Sequence, residues 1–162
     1  MFHEIIRFFS LFPPALATFL MGASPILELR LALPVAILHY HFPVWKAVFF
    51  AVLGNGIPTL AILLFADEFH HWVEKNSGFF GRHWVTHVAK AQQSFAKYEK
   101  YGLWGIFFFI SSSLPGTGAY SGAIAAFILG IPIKKSWPYI FGGLLISSVI
   151  TALVTVGVDK II

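Results

Sequence analysis

Between two prolines, Pro25-Ile-Leu-Glu28-Leu-Arg30-Leu-Ala-Leu-Pro34 sets a glutamate and an arginine two residues apart in otherwise apolar sequence. The runs on either side are long and apolar enough to belong in a bilayer, where a charge at the centre costs about 2.5–3.5 kcal/mol on insertion scales. A chain carrying such a pair must give it a protected cavity, a partner or a task. That requirement constrains the fold more than any other feature of the sequence.

Composition supports the bilayer reading. Of 162 residues, 57% are hydrophobic and 11% charged, against about 25% charged in an ordinary soluble domain. Too few polar residues remain to cover a water-facing surface, so an integral membrane protein of one domain, 1–162, is expected. The chain has no cysteine, which excludes disulfides and thiolate metal sites. The net charge of +4 suits anionic headgroups or anionic substrates, and the basic residues are too scattered among apolar spans for nucleic acid. Arg7 followed by Phe8–Leu20 imitates a secretory leader, but Pro13-Pro14 breaks its core and Glu4 sits where a leader is basic. Retention of this segment is expected.

In chain order, Pro13-Pro14 opens a helix, since proline fits a first turn where no amide bond is lost. Ala15–Ser24 is then only about 15 Å of helix, half a bilayer. The break at Pro25–Arg30 follows, then a second short apolar run, Leu31–Leu38. Two half-length helices about a polar break predict a re-entrant hairpin, with a single kinked spanning helix as the alternative. Val44–Ala66 is long enough to span and contains Gly54-Asn55-Gly56-Ile57-Pro58. Asn55 either glues helices together or faces the cavity holding Glu28.

Residues 67–101 form a polar connector. Within it Trp84, Val88, Ala91, Phe95 and Tyr98 mark one face of a basic amphipathic surface helix. His70-His71 and the pair His83 and His87 lack the glutamate of a His-Glu-x-x-His site and read as interfacial, so no metal or other cofactor is expected. The opening plan then repeats: Leu103–Ser113, a break at Pro115-Gly116-Thr117-Gly118, Ala119–Leu129, and a span over Trp137–Val158.

A shift of 89 residues lays Phe42-Pro43-Val-Trp-Lys46-Ala47 on Ile131-Pro132-Ile-Lys-Lys135-Ser136, Gly54 on Gly143, and Glu28–Arg30 on Thr117–Ala119. The fold expected is all-α: two re-entrant broken-helix hairpins, each followed by a spanning helix, in an inverted repeat (about 8–66 and 102–158), plus the surface helix. Transporters with internal repeats place their sites where broken helices meet. Lys75, Arg82, Lys90, Lys97, Lys100, Lys134 and Lys135 then share one side, against Arg7, Lys46 and Lys160 on the other. The first side is expected to be cytoplasmic.

Two helix starts converging on the breaks, with the Arg30 guanidinium and the Thr117 hydroxyl, suit an anion. Gly116 and Gly118 let backbone approach a bound group closely. Glu28 is the odd member. Desolvation favours its protonated form, and a carboxylate that takes up and releases a proton is how transporters couple to protons. The structural alternative is that Glu28 and Arg30 simply pair. Ser111-Ser-Ser113 and Ser147-Ser148 read as packing hydroxyls, and Gly118-Ala-Tyr-Ser121-Gly122 does not match a Gly-x-Ser-x-Gly elbow, so an enzyme is not expected.

Glu28-Leu-Arg30 with Pro34, Gly54-Asn55-Gly-Ile-Pro58, and Pro115-Gly-Thr-Gly-Ala-Tyr-Ser-Gly122 resemble the small multidrug export protein family, a distant relative of the DedA (SNARE-associated, VTT) membrane proteins. The resemblance covers roughly Ile26 to Val154. It implies two re-entrant hairpins in an inverted repeat and a role in transport at a multi-pass site in the cell membrane. For the DedA relatives it implies proton-dependent movement of lipid carriers such as undecaprenyl phosphate. The chain departs from the DedA pattern in its shortness and in having no arginine in its second hairpin. Its substrate is expected to be anionic or amphipathic, with export of cationic drugs, or a non-transporting scaffold that recruits a partner, as alternatives. Membrane lipids and a small-molecule or lipid substrate are the expected partners, and self-association into a homo-oligomer stays open.

Overall fold

The computed structural model describes residues 2–76, 99–112 and 118–159. Seven helices account for most of them, and no strand occurs among the described residues. They are α1 (Phe2–Phe9), α2 (Pro14–Ala23), α3 (Glu28–Pro34, running on as a π-helical turn over Val35–His39), α4 (Val44–Asn76), α5 (Glu99–Ser111), α6 (Ala119–Ile128) and α7 (Ile133–Asp159).

Proline punctuates this order. Pro13 caps α2, with proline again in its first turn. Ser24 precedes Pro25 and is held extended at φ −77° and ψ 126°, as the steric demand of a following proline requires. The chain regains helical bonding sooner than the sequence suggests. The Glu28 amide donates to the Ser24 carbonyl at 2.9 Å, and Leu31 to Leu27 at 3.3 Å. Glu28 and Arg30 therefore stand on the first turn of α3 instead of in the break. Pro34 has no amide to give the carbonyl four residues back, and the helix widens just after it into the π-helical turn, which Tyr40 closes by donating to Val35 at 3.0 Å.

The long helix α4 continues ten residues past Ala66, because Asp67 to Asn76 includes helix-compatible Glu68, Glu74 and Lys75. The amphipathic stripe from Trp84 to Tyr98 and the His83 and His87 pair lie outside the described residues. Two helical stretches are long and apolar enough to cross a membrane, Val44–Ala66 and Ile133–Val158, each with mean hydropathy 2.1. Each shows outward an apolar stripe at a spacing of four: Trp45, Phe49, Leu53 and Ile57 on α4, and Phe141, Leu145, Val149 and Leu153 on α7. Contiguous apolar surface of this extent fits lipid, not water.

Inside, α2 packs along α4 and α5 along α7, while α3 reaches α7 and α6 reaches α4. The close approaches use missing side chains. Gly54 lies against the Phe19 carbonyl, and Gly143 lies 2.9 Å, at its would-be Cβ, from the Phe107 carbonyl. Where α3 turns into α4, His41 has φ 51°, and where α6 turns into α7, Gly130 has φ 68°. Phe42 and Ile131 then each donate back into the preceding helix at 2.9 Å, and Lys46 and Lys135 each donate at 2.9 Å to Pro43 and Pro132. One turn is thus built twice, 89 residues apart.

Candidate functional site

Helix α3 begins on an unusual residue. Glu28 has φ 49°, a region where a long side chain costs roughly 1–3 kcal/mol. That backbone turns its side chain toward the other half of the molecule. The carboxylate comes to rest on Gly118, at the start of α6, so closely that a β-carbon on Gly118 would coincide with it. Gly118 is extended, at φ −75° and ψ 175°, so its glycine answers to space and not to backbone freedom. A carboxylate at the start of a ten-residue helix meets the positive end of its dipole.

Around this contact lies a cavity of about 10 Å³, lined by Glu28, Leu29 and Arg30 of α3, Asn55 of α4, Ile110 of α5, Gly118 and Ala119, and Leu144 and Ser147 of α7. Asn55 is 1% exposed and Ser147 5%. Three pairs in this lining, Leu29 and Gly118, Arg30 and Ala119, Asn55 and Leu144, stand 89 residues apart. The first half supplies the ionic and amide groups, and the second supplies glycine, alanine and leucine opposite them. Thr59 donates its hydroxyl back to the Asn55 backbone carbonyl at 2.7 Å, one turn earlier in the same helix.

On its other side Glu28 borders an open groove of about 430 Å³, walled by Pro25, Ile26, Leu27, Leu31, Tyr120, Ser121 and Ile124, with Glu28 and Arg30 as its ionic groups. Tyr120 ties the groove's two walls together by donating to the Ala23 carbonyl at 2.6 Å. A third cavity, about 230 Å³ between α4 and the α6–α7 turn, has no polar side chain in its lining.

Of the residues singled out in the sequence, Glu28, Arg30, Asn55 and Gly118 meet at one point. Asn55, weighed as interhelical glue or as facing the cavity that holds Glu28, lines that cavity. Pro34 does not meet them; it ends α3 and shapes the π-helical turn. Pro115, Gly116 and Thr117 lie outside the described residues. Ser147 and Tyr120 were missed as site residues. Ser147 is hard to distinguish from Ser148, which donates to Leu145 at 2.7 Å as a packing hydroxyl does. Tyr120 follows the Pro-Gly-Thr-Gly run by two residues, the one signal that could have found it. Among the described residues no group of three or more His, Cys, Asp or Glu could hold a metal ion.

A family model described as "Putative small multi-drug export protein" matches residues 28–150. The chain belongs to that family. Every residue lining the small cavity falls within the matched stretch. No curated protein and no solved structure shows significant similarity to it. Membership of an export family and two long apolar helices fit a membrane transporter.

Proposed function

We propose that this protein is a proton-coupled transporter of the cell membrane. It moves an anionic or amphipathic molecule, such as a polyprenyl-phosphate-like lipid, through a site between two re-entrant hairpins. One observation carries the reading: ionisable and polar groups from separate elements, Glu28, Arg30 and Asn55, line a cavity that adjoins a groove large enough for part of an amphiphile. The helix pairs α2/α3 and α5/α6 are the two hairpins, entering from opposite faces as an inverted repeat. The duplicated turn and the 89-residue pairing of cavity residues support this. Helix α3 brings Arg30 to the groove as the group that grips an anionic head, and Glu28 beside it takes up and releases the coupling proton. Asn55 and Gly118 complete the site, together with Pro115, Gly116 and Thr117. The distant kinship with DedA proteins, a lipid substrate, the cytoplasmic placement of the lysine-rich side, and any homo-oligomer belong to this same proposal.

The test is accumulation in liposomes with and without a pH gradient. Glu28→Gln keeps the fold and abolishes the pH-driven component. Arg30→Lys keeps the charge but loses the planar fork. Losing one charge-assisted hydrogen bond costs about 1.5–3 kcal/mol, so an anionic amphiphile should bind roughly tenfold more weakly or worse. Undiminished pH-driven transport by Glu28→Gln removes that residue from the mechanism. A second reading, export of cationic drugs, has the Glu28 carboxylate on the groove wall in its favour. Under it Arg30→Gln binds a cationic drug as well or better, because a repulsive charge has gone.

A further inference from the structure

Two spaces of very different size meet at one side chain. The groove opens outward and is mostly apolar. The inner cavity is far smaller and lies among Leu29, Ile110, Ala119 and Leu144, with Arg30, Asn55 and Ser147 also reaching it. Its volume of about 10 Å³ is near the minimum for one water, which needs two to four polar partners. Those partners are present, so this chamber suits water and not an apolar group. Glu28 and Arg30 line both spaces, whereas Asn55, Gly118 and Ser147 line only the inner one, and Tyr120 and Ser121 only the outer.

We propose that the Glu28 side chain is a gate between the groove and an inner water site, and that Gly118 is the seat on which it closes. Three features converge on this assignment. From a left-handed backbone at Glu28, the side chain reaches from α3 to the start of α6. The carboxylate fills the space that any other residue at 118 would give to its β-carbon. The filling atoms are the far end of a flexible side chain, which can swing away without moving a helix. When it does, the groove and the chamber become continuous, and water reaches Asn55 and Ser147 from the substrate's side. What passes the open gate rests on the transport reading above, but the gate itself does not.

The absence of native cysteine makes the test direct. A single Ser147→Cys reporter in the full chain, reconstituted in liposomes, is reacted with a small water-soluble methanethiosulfonate. In the otherwise native chain the thiol should be protected. Adding Glu28→Ala, which removes the gate, should speed labelling by about tenfold or more, equivalent to about 1.4 kcal/mol on the opening equilibrium. Adding Gly118→Ala, which keeps the carboxylate but takes away its seat, should also speed it. Ala119→Cys, on the chamber wall, serves as a second reporter should Ser147→Cys fold poorly. Ile140→Cys, equally buried but outside the chamber lining, should stay protected throughout. Fast labelling of the parent reporters, unchanged labelling in both gate variants, or labelling of Ile140→Cys in step with them would each overturn the gate. Gated labelling without any pH-driven transport would leave the gate standing and remove the transport reading.

Discussion

Glycines 54, 105 and 118 show three different demands on a missing side chain. At Gly54 the obstacle to a β-carbon is the Phe19 backbone carbonyl, which cannot move without shifting α2 along α4. Gly54→Ala should therefore lower stability by about 1–3 kcal/mol, the usual cost of overpacking. At Gly105, within α5, a β-carbon meets nothing within 4 Å. Gly105→Ala should raise stability by about 0.5–1 kcal/mol, by removing glycine's conformational freedom from a helix interior. Thermal unfolding of the two variants in the same detergent checks both signs, and equal shifts would refute the close α2–α4 approach. At Gly118 the nearest obstacle is the Glu28 carboxylate, the far end of a flexible side chain, so alanine there disturbs the site more than the fold. The sequence marked Glu28 and Gly118 as unusual through their polarity and their glycine-rich neighbourhood. It carried no sign that they touch, because contact between residues 90 positions apart is set by how α3 and α6 pack.

At the scale of elements, each helix pair is joined to its long helix by a turn whose reversal falls on one left-handed residue. Gly130 takes that conformation freely, whereas His41 takes it against its β-carbon. Gly130→Ala should cost about 1 kcal/mol, and His41→Gly should be neutral or stabilising by a few tenths, because the substituted residue then suits, or fails to suit, the same backbone. Chemical denaturation in mixed micelles measures the pair, and a stabilising Gly130→Ala or a clearly destabilising His41→Gly would show that the two turns are not alike. These turns were legible: Pro43 and Pro132, with lysine three residues on, announce the same helix entry twice. The end of α4 was less so. Its continuation to Asn76 needed polar residues that serve equally well in a helix or in a loop, and hydropathy sees only the point where the apolar run stops.

For the whole molecule, an inverted arrangement assigns sides to chain positions. Cysteines introduced singly at Pro13, His41 and Val158 should label from one face of the membrane, and at Tyr101 and Gly130 from the other. Impermeant reagent applied to oriented vesicles distinguishes the two sets. Labelling of Pro13→Cys and His41→Cys from opposite faces would show α2 and α3 to be one kinked span, and the transport site would lose its first hairpin. The charge asymmetry between the halves also appears only at this scale. Both supply backbone and apolar walls to the cavity, but glutamate, arginine and asparagine come from the first half alone, so its ionic and amide groups are one-sided.

What the sequence by itself determined is local. Apolar run lengths set which helices are long enough to span, prolines set where they start, and Pro43 and Pro132, 89 residues apart, announced one turn used twice. These follow from hydrophobic length and backbone sterics, which act over a few residues and are written in them. Only the tertiary structure decided that Glu28 rests on Gly118 and that Asn55 and Ser147 line the cavity beside them. Which face a polar residue presents in an apolar helix depends on the neighbour packed against it, and that neighbour comes from a distant part of the chain.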